Sequence, residues 1–323
     1  MGYRLWTLLF IPIFSISLYT KDLHRQQVLM GTFVTISLKQ EHQKEIQNGF
    51  KLIKKIEKSL SSYDKNALLY QLNQDKNISA DSHLLEAIEK SKNFYNISQG
   101  YFDITIGSIT KRLYHFGEKE KIPSKQALIK AKTDIQGIHI KENKITLDEN
   151  ITLDLGGMGK GFAVDKVADY YRERNISHGI IALSGDIQAL HPTTIYINSP
   201  FSDKPLAKLK TLYPNTSIST SGTYRRFVKN KKHHHLINPK NKKQGRSFIS
   251  ITLITRKNNT LIDAMATAIG VMPLDEALKL LKEHYEIGYI LLTNEKKVLF
   301  GQLADLVLYN PKYLKTKKRK DKE

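Results

Sequence analysis

The sequence contains no cysteine, and this absence excludes several kinds of structure and chemistry at once. Disulfide frameworks, thiolate zinc sites, cysteine nucleophiles and lipid attachment through cysteine are all ruled out. Acidic residues are also scarce, because 31 Asp and Glu stand against 51 Lys and Arg, which gives a formal net charge of +20. A surplus of this sign favours anionic partners such as nucleic acid, an anionic membrane surface or a phosphorylated ligand.

The rest of the composition is typical of a globular protein. Hydrophobic residues make up 40% and charged residues 25% of the 323 positions, which argues against disorder across the whole chain. This length predicts two domains or one large composite domain. The sequence shows no internal repeat of fixed period, so a repeat architecture is not expected.

Two terminal segments differ from the body of the chain, residues 21–311. Residues 1–20 combine Arg4 with an almost uncharged run that Pro12 interrupts and that is short for a membrane span of roughly 20 residues. This pattern predicts a signal peptide, with an uncleaved N-terminal anchor as the alternative, and in both cases a folded body outside the cytoplasm. Residues 312–323 carry seven basic and two acidic side chains, and we predict a solvated, disordered tail there.

The body alternates between helical and strand patterns. Apolar residues spaced by three and four predict helices over 41–60, 81–98, 159–174, 261–271 and 274–284. Runs of β-branched and apolar residues predict strands over 28–38, 180–183, 194–198, 206–212, 248–255, 287–293 and 298–300, and short ones around Ile138, Ile145 and Ile151. Because this order is not a regular βαβ repeat, we expect a mixed α and β fold rather than a plain Rossmann sheet.

The glycine-rich segment LDLGGMGKG, residues 153–161, is predicted to connect a strand to a helix. Backbone without Cβ atoms can approach a phosphate closely, a helix N-terminus favours anions, and Lys160 adds a full positive charge. The segment is neither a Walker A loop nor a GxGxxG motif, since Asp154, Gly161 and Phe162 occupy positions that those motifs assign to other residues. The alternative is a tight turn that only lets the helix pack.

Asp263 and Thr267 lie four residues apart on a predicted helix, so their oxygen atoms project from one face. A carboxylate and a hydroxyl are hard oxygen donors, which suits them to Mg²⁺. The alternative is structural, with Thr260 as the helix N-cap and Asp263 in the third helical position of a capping box.

Other clusters are less specific. Residues 220–225 (TSGTYR) precede the run His233–His235, and three consecutive histidines on a strand cannot all face one metal ion. One of them could act in acid–base chemistry or contact a phosphate. The aromatic residues near Tyr63 and in residues 100–105 either stack on a flat ligand ring or pack in the core.

Seven motifs follow one another along the chain. They are MGT (30–32), SSYDKNALLYQLN (61–73), GYFDITIG (100–107), DLGGMGKGFAVDKVA (154–168), TSGTYRRF (220–227), HLINP (235–239) and DAMATA (263–268). In sequence and order they resemble the ApbE family of FAD:protein FMN transferases, from Met30 to about Gly301. The resemblance implies an α+β fold in which mixed, mainly antiparallel sheets are flanked by helices in a two-lobed architecture.

The resemblance also implies an activity. In that family, FAD is the substrate and Mg²⁺ the cofactor, and FMN is transferred to a threonine hydroxyl of an acceptor protein with release of AMP. The acceptors are exported subunits of membrane redox complexes, so we expect such partners and contact with the inner membrane surface rather than a nucleic-acid partner.

The family's functional residues correspond to individual positions of this chain. By resemblance, the residues that contact FAD are Met30, Tyr63, Tyr101, Phe102, Asp103, Asp154, Lys160 and Ile237. The implied Mg²⁺ ligands are Gly157, through its carbonyl oxygen, Asp263 and Thr267. His235 and Asp154 are the candidates for the general base, and the sequence does not decide between them.

The chain departs from the family pattern at three places. Ser184 precedes Gly185-Asp186 where Gly-Gly-Asp is usual, Asn238 replaces an Asp, and Asn241-Lys242 replaces Thr-Gly. Three alternative functions remain at this level: an FAD pyrophosphatase, in which water replaces the threonine hydroxyl, a non-enzymatic periplasmic flavin-binding protein, and a basic nucleic-acid binder. The basic tail contains only one aromatic residue, Tyr313, and export removes most nucleic-acid partners, which argues against the last.

Overall fold

The fold is built on one eight-stranded antiparallel sheet, as seen in a computed structural model that describes residues 22–202, 204–224 and 227–310. The predicted N-terminal signal or anchor (1–20) and the predicted basic tail (312–323) lie outside these residues. Within the described part of the chain, no helix has both the length and the apolar character needed to cross a membrane.

The described residues contain fourteen strands. They are β1 (Asp22–Leu29), β2 (Thr32–Lys39), β3 (Asn77–Ser79), β4 (Ile138–Lys141), β5 (Lys144–Leu147), β6 (Gly179–Leu183), β7 (Asp186–Ala189), β8 (Thr194–Asn198), β9 (Pro205–Thr211), β10 (Thr216–Gly222), β11 (Phe248–Thr255), β12 (Gly288–Thr293), β13 (Val298–Gly301) and β14 (Val307–Tyr309). The main sheet has the order β1-β2-β6-β7-β10-β11-β12-β13, and two three-stranded sheets have the orders β14-β9-β8 and β3-β5-β4. Every pair of neighbouring strands is antiparallel.

The same described part of the chain contains eight α-helices. They are α1 (Gln43–Leu60), α2 (Leu68–Asp75), α3 (Ser82–Ile97), α4 (Gly107–Thr110), α5 (Lys125–Lys130), α6 (Gly159–Arg172), α7 (Asn259–Ile269) and α8 (Leu274–Glu283). The predicted fold class, mainly antiparallel sheets flanked by helices, is therefore confirmed.

The two faces of the main sheet are covered by different layers. Helices α1, α6 and α7 pack on one face, where α1 buries Ile46, Phe50, Ile53 and Ile56 at the predicted helical spacing. Full burial of such a side chain contributes about 1.5–3 kcal/mol. On the opposite face, the sheet β14-β9-β8 packs through a separate apolar cluster that includes Ile197. Strand β11 is almost wholly buried because both of its faces are covered.

The structure corrects the first predicted strand. Residues 28–38 form two strands rather than one, because Met30 (φ 52°) and Gly31 (φ 68°) make a two-residue hairpin turn between β1 and β2. Two consecutive positive φ angles are typical of the turn that matches the twist of a hairpin. The Met30 amide donates a 2.6 Å hydrogen bond to the Glu57 carboxylate of α1, which fixes the turn against that helix.

The strand predicted before the glycine-rich segment is also wrong. Around Ile151 the chain makes only an isolated bridge, between Ile106 and Thr152, and then continues without regular structure to residue 158. Strand β10 was not predicted, because its sequence, TSISTSG, is polar. Four of its residues are nevertheless buried. A side chain in the middle of a sheet can be buried and polar when it finds hydrogen-bond partners there.

Candidate active site

A single cleft contains all the residues that the sequence nominated for function. Its volume is about 1150 Å³, which slightly exceeds the roughly 300–1,000 Å³ of ordinary ligand pockets. The predicted residues that line it are Met30, Tyr63, Tyr101, Phe102, Asp103, Asp154, Gly157, Lys160, His235, Ile237, Asp263 and Thr267. Their location is consistent with a common site, while the role of each remains a prediction.

The glycine-rich segment forms one wall of the cleft and is stabilised by its own hydrogen bonds. Asp154 accepts hydrogen bonds from the Gly156 amide (2.9 Å) and the Thr110 hydroxyl (2.7 Å), and the Lys111 ammonium lies 3.9 Å from its carboxylate. The amides of Met158 and Gly159 both donate to the chain itself, at the Leu155 carbonyl. These amides are therefore committed to the shape of the loop rather than to a phosphate.

Lys160, the second residue of α6, lies between two buried carboxylates. Its ammonium is 2.7 Å from Asp186 and 3.4 Å from Asp263, and both aspartates are 1% exposed. Burial by itself would lower the pKa of Lys160, but the charges of Asp186 and Asp263 outweigh it, so that the pKa lies above its ordinary value. Lys160 is consequently a permanent cation at the edge of the cleft.

Asp263 belongs to the site and not to a helix cap. The N-cap of α7 is Asn258, whose side chain accepts from the Leu261 amide, so the predicted capping box of Thr260 and Asp263 is wrong. Asp263 instead accepts a 3.0 Å hydrogen bond from the Gly161 amide of α6. Burial, followed by the neighbouring charge of Asp186, raises the pKa of Asp263 above its ordinary value.

The close contact of α6 and α7 depends on two small residues. A Cβ atom on Gly161 would lie 2.6 Å from the Asn259 carbonyl oxygen, and one on Gly157 would lie 2.9 Å from the Thr267 methyl group. Asp165 of α6 reinforces this packing, because its carboxylate accepts hydrogen bonds from the amides of Asn259 (2.7 Å) and Thr260 (2.8 Å) at the start of α7.

The predicted magnesium ligands form a compact set of oxygen donors. The Thr267 hydroxyl lies 3.1 Å from the Gly157 carbonyl oxygen, and Asp263 stands one helical turn earlier on α7. One carboxylate, one hydroxyl and one carbonyl suit a hard cation that keeps water or phosphate oxygens in its shell. No group of three or more His, Asp or Glu side chains that could hold a metal ion occurs in the described residues, so the protein alone would supply only part of the coordination shell.

The three histidines have different surroundings. His234 is buried, and its Nε2 lies 2.9 Å from the Gly245 carbonyl oxygen, while burial lowers the pKa of this side chain. His235 lines the cleft. Ile237 lines it too, and packs in a small apolar cluster with Ile109 and Phe116.

The turn after His235 is held by the residues that depart from the family pattern. The Asn238 side chain accepts from the Lys240 amide (2.9 Å) and donates to the Val271 carbonyl (3.0 Å) just beyond α7. Lys242 adopts a left-handed φ of 60°, and its ammonium donates to the Ala131 carbonyl (2.6 Å) at the end of α5. Both departures therefore make specific contacts that anchor the turn.

The aromatic residues of the cleft are of two kinds. Tyr63 is 40% exposed, with the Lys111 ammonium 3.4 Å from its ring centroid, and Lys240 lies 3.9 Å from the ring of Tyr101. Burial, followed by a hydrogen bond with Glu276, raises the pKa of Tyr101 to about 12. Tyr101 and Phe102, unlike Tyr63, are buried residues of the main core that also border the cleft.

Asp103 is the most buried acid on the aromatic side of the cleft. Its carboxylate accepts hydrogen bonds from the amide (2.8 Å) and the hydroxyl (2.7 Å) of Thr105. Burial raises the pKa of Asp103, although these two hydrogen bonds oppose the shift. The side chain therefore fixes the loop before α4 as well as bordering the cleft.

Sequence reasoning missed several residues that shape the site. Asp186 holds Lys160, Thr110 holds Asp154, and Asp165 holds the start of α7. Asp186 was visible only as part of the Ser-Gly-Asp motif, and Asp165 only as a member of the helical motif that follows the glycines. Nothing in the sequence around Thr110 indicated its contact with Asp154, 44 residues away.

Solved structures with the same fold include two ApbE proteins. The ApbE protein of Thermotoga maritima superimposes with a TM-score of 0.79 at 19% identity, over 87% of this chain and 97% of that one. The flavin transferase ApbE of Vibrio cholerae superimposes with a TM-score of 0.73 at 19% identity, over 90% and 97% of the two chains.

Sequence comparison finds relatives that are named FAD:protein FMN transferase. One from Klebsiella pneumoniae is 22% identical over 289 residues, which cover 85% of this chain and 90% of the relative. Another, from Haemophilus influenzae, is 26% identical over 273 residues, covering 76% and 77%. The family model for ApbE matches residues 30–291. This match covers most of the chain and includes the cleft residues from Met30 to Thr267. The chain therefore belongs to the ApbE family.

Proposed function

We propose that this protein is an FAD:protein FMN transferase, which moves FMN from FAD to a threonine hydroxyl of an acceptor protein and releases AMP. The observation that carries the proposal is the meeting of a half-buried cation, Lys160, with the oxygen donors of Asp263, Thr267 and Gly157 in one cleft. A pyrophosphate bond breaks more easily where positive charge is fixed beside it. The name of the relatives, FAD:protein FMN transferase, supports the transfer of FMN from FAD to a protein.

The proposed reaction is a single displacement at the phosphorus of the FMN half. The threonine oxygen forms a bond to this phosphorus, the bond to the bridging oxygen breaks, and AMP leaves with the bonding electron pair. The hydroxyl proton passes to a base of the protein. Magnesium, when bound, would neutralise charge on the phosphate oxygens. Asp263, Thr267 and the Gly157 carbonyl are the groups that would hold it.

Lys160 is suited to bind the substrate pyrophosphate. The raised pKa keeps its ammonium charged at neutral pH, and its place at the start of α6 adds to the positive end of the helix dipole. Tyr63 offers an exposed aromatic surface to a flat ring, and Tyr101 and Met30 border the same space.

The base that accepts the threonine proton is His235 or Asp154. An imidazole has an ordinary pKa close to neutrality, which suits His235 to proton transfer. Both carboxylate oxygens of Asp154 already accept hydrogen bonds, one from the Gly156 amide and the other from the Thr110 hydroxyl, so this group is less free to accept a further proton. A matched pair of variants, His235→Gln and Asp154→Asn, separates the two. The base must be unprotonated to accept the threonine proton, so only its loss removes the rise of kcat with increasing pH.

The cellular setting proposed here follows from the sequence. We place the protein in the periplasm, exported by its N-terminal segment and in contact with the inner membrane surface through that segment or its basic tail. Its proposed partners are the exported subunits of membrane redox complexes.

The deciding experiment incubates the protein with FAD, Mg²⁺ and an acceptor domain that bears a candidate threonine. Mass spectrometry should find an FMN adduct on the acceptor and an equal amount of AMP. The control is the same domain with that threonine changed to valine, which should gain no mass. Release of AMP and FMN without an adduct would instead identify an FAD pyrophosphatase, and binding of FAD without either product would identify a flavin-binding protein.

A further inference from the structure

We propose that Asp186 is a positioning residue that keeps the Lys160 ammonium off Asp263, so that Asp263 remains able to bind a divalent cation. This inference rests on the proposed function, because it concerns the magnesium site of that reaction. Lys160 contacts both carboxylates, but unequally: its ammonium is 2.7 Å from Asp186 and 3.4–3.5 Å from the two oxygens of Asp263.

The two distances describe two different interactions. A charge-assisted hydrogen bond from an ammonium to a carboxylate measures about 2.7–2.9 Å. The contact with Asp186 falls in this range, whereas the contact with Asp263 is longer than it. The ammonium therefore belongs to Asp186, although it stands close enough to Asp263 to compete with any other cation there.

Asp186 is held rigidly for this task. It is 1% exposed and begins β7 in the middle of the main sheet. One carboxylate oxygen accepts from the Ser219 hydroxyl of β10 at 2.5 Å, and the other accepts from Lys160. With both oxygens engaged, the carboxylate has a defined orientation toward the lysine.

Competition between the two cations follows from the charges. Asp263 is the only carboxylate in the proposed ligand set with Thr267 and Gly157, so that set loses most of its attraction for Mg²⁺ if an ammonium neutralises it. Charges in a buried site interact strongly because little water screens them. The carboxylate of Asp186 gives the Lys160 ammonium an alternative partner. Its negative charge also makes the approach of a divalent cation to Asp263 less unfavourable.

This arrangement predicts opposite effects for two substitutions. Removing the charge of Asp186 (Asp186→Asn) leaves Lys160 to pair with Asp263, which should weaken metal binding. Removing the ammonium (Lys160→Met) frees Asp263 of its competitor, which should strengthen metal binding. If Asp186 had only a structural role, the weaker metal binding of Asp186→Asn would not depend on the presence of Lys160.

The test measures binding of Mn²⁺ to the full chain by electron paramagnetic resonance, without FAD, so that metal affinity is read directly and not through activity. We expect Asp186→Asn to raise the Kd for Mn²⁺ about tenfold and Lys160→Met to lower it by a similar factor. The double variant Asp186→Asn/Lys160→Met should bind at least as tightly as the wild type.

Ser219→Ala, which leaves the charge of Asp186 in place, should have a smaller effect than Asp186→Asn. Circular dichroism checks that each variant is folded.

Different results of this test would contradict different parts of the proposal. If the wild type binds no Mn²⁺, the proposed metal site fails, and this inference fails with it. If the wild type binds Mn²⁺ but the double variant stays as weak as Asp186→Asn, the proposed reaction stands and Asp186 is a ligand or a structural residue. If Asp186→Asn does not fold, Lys160→Met alone decides, because unchanged or weaker Mn²⁺ binding in that variant contradicts competition by the ammonium.

Discussion

The side-chain amide of Asn238 donates a 3.0 Å hydrogen bond to the backbone carbonyl of Val271. This bond joins the turn that follows His235 to the end of α7, the helix that carries Asp263 and Thr267. An aspartate, which the family usually has at this position, could accept from the turn amides but could not donate to Val271. Asn238 therefore adds a hydrogen bond between the turn that follows His235 and the helix that carries the proposed metal ligands.

Changing Asn238 to Asp should destabilise the protein by about 1–3 kcal/mol, because the Val271 carbonyl loses its donor and faces a buried carboxylate. The measurement is the free energy of unfolding from urea titration. The matched control is Asn241→Asp in the same turn. Asn241 is exposed, and its oxygen only accepts from the Lys243 amide, which a carboxylate can also do. Equal losses in both variants would contradict the importance of the bond to Val271.

Gly161→Ala should separate α6 from α7. The added methyl group would lie 2.6 Å from the Asn259 carbonyl oxygen and 2.8 Å from the Cβ of Asp263. We expect a loss of about 1–3 kcal/mol in the free energy of unfolding, together with weaker binding of Mn²⁺. Gly159→Ala is the control on the same helix, since its methyl group would meet nothing closer than 3.7 Å. A stable Gly161→Ala variant with unchanged Mn²⁺ affinity would refute this view of the interface.

Asp263→Ala should abolish Mg²⁺-dependent turnover of FAD, because the proposed metal site loses its only carboxylate. AMP release, followed by chromatography at increasing Mg²⁺ concentration, is the measurement. Thr267→Val removes a neutral ligand of similar shape, so we expect a smaller increase in the Mg²⁺ concentration needed for half-maximal turnover. Full activity of Asp263→Ala would exclude Asp263 as a metal ligand.

His234 should make the fold sensitive to mild acid. Its pKa in the folded state lies below the ordinary value of 6.5, because burial disfavours the charged form. Above pH 6.5 the imidazole is neutral in both states and has no pH-dependent effect. As the pH falls from 6.5 toward the lower folded pKa, the unfolded chain takes up a proton that the folded chain resists, and stability is lost.

The size of this effect is bounded by the unfolded pKa. At pH 5 the loss is at most about 2 kcal/mol for one histidine. His234→Gln keeps a donor for the Gly245 carbonyl but does not titrate, so the difference in free energy of unfolding between wild type and variant should shrink as the pH falls from 7 to 5. A difference that is constant over this range would show that His234 is not the sensitive group.

The elements that the sequence predicted well are those with a clear local period. The strands Thr194–Asn198 and Phe248–Thr255 have the predicted boundaries, and the ends of the five long predicted helices differ from the observed ends by at most two residues. Failures occurred where a local signal was missing or ambiguous. The turn at Met30-Gly31 lay inside an apolar run, and β10 was too polar to resemble a buried strand.

The sequence by itself predicted the long helices from their hydrophobic period, which is a local property of the chain. The order of its motifs, through the family resemblance, predicted the fold class and the residues that line the cleft. Only the tertiary structure decided which groups pair. Lys160 and Asp263 are separated by 103 residues, and Asp186 reaches Lys160 from a different strand. These contacts depend on how closely α6 and α7 cross and on where β7 begins in the sheet, which no local pattern specifies. Of the 51 basic residues, the fold brings one, Lys160, between two buried carboxylates, a placement that the net charge of +20 does not indicate.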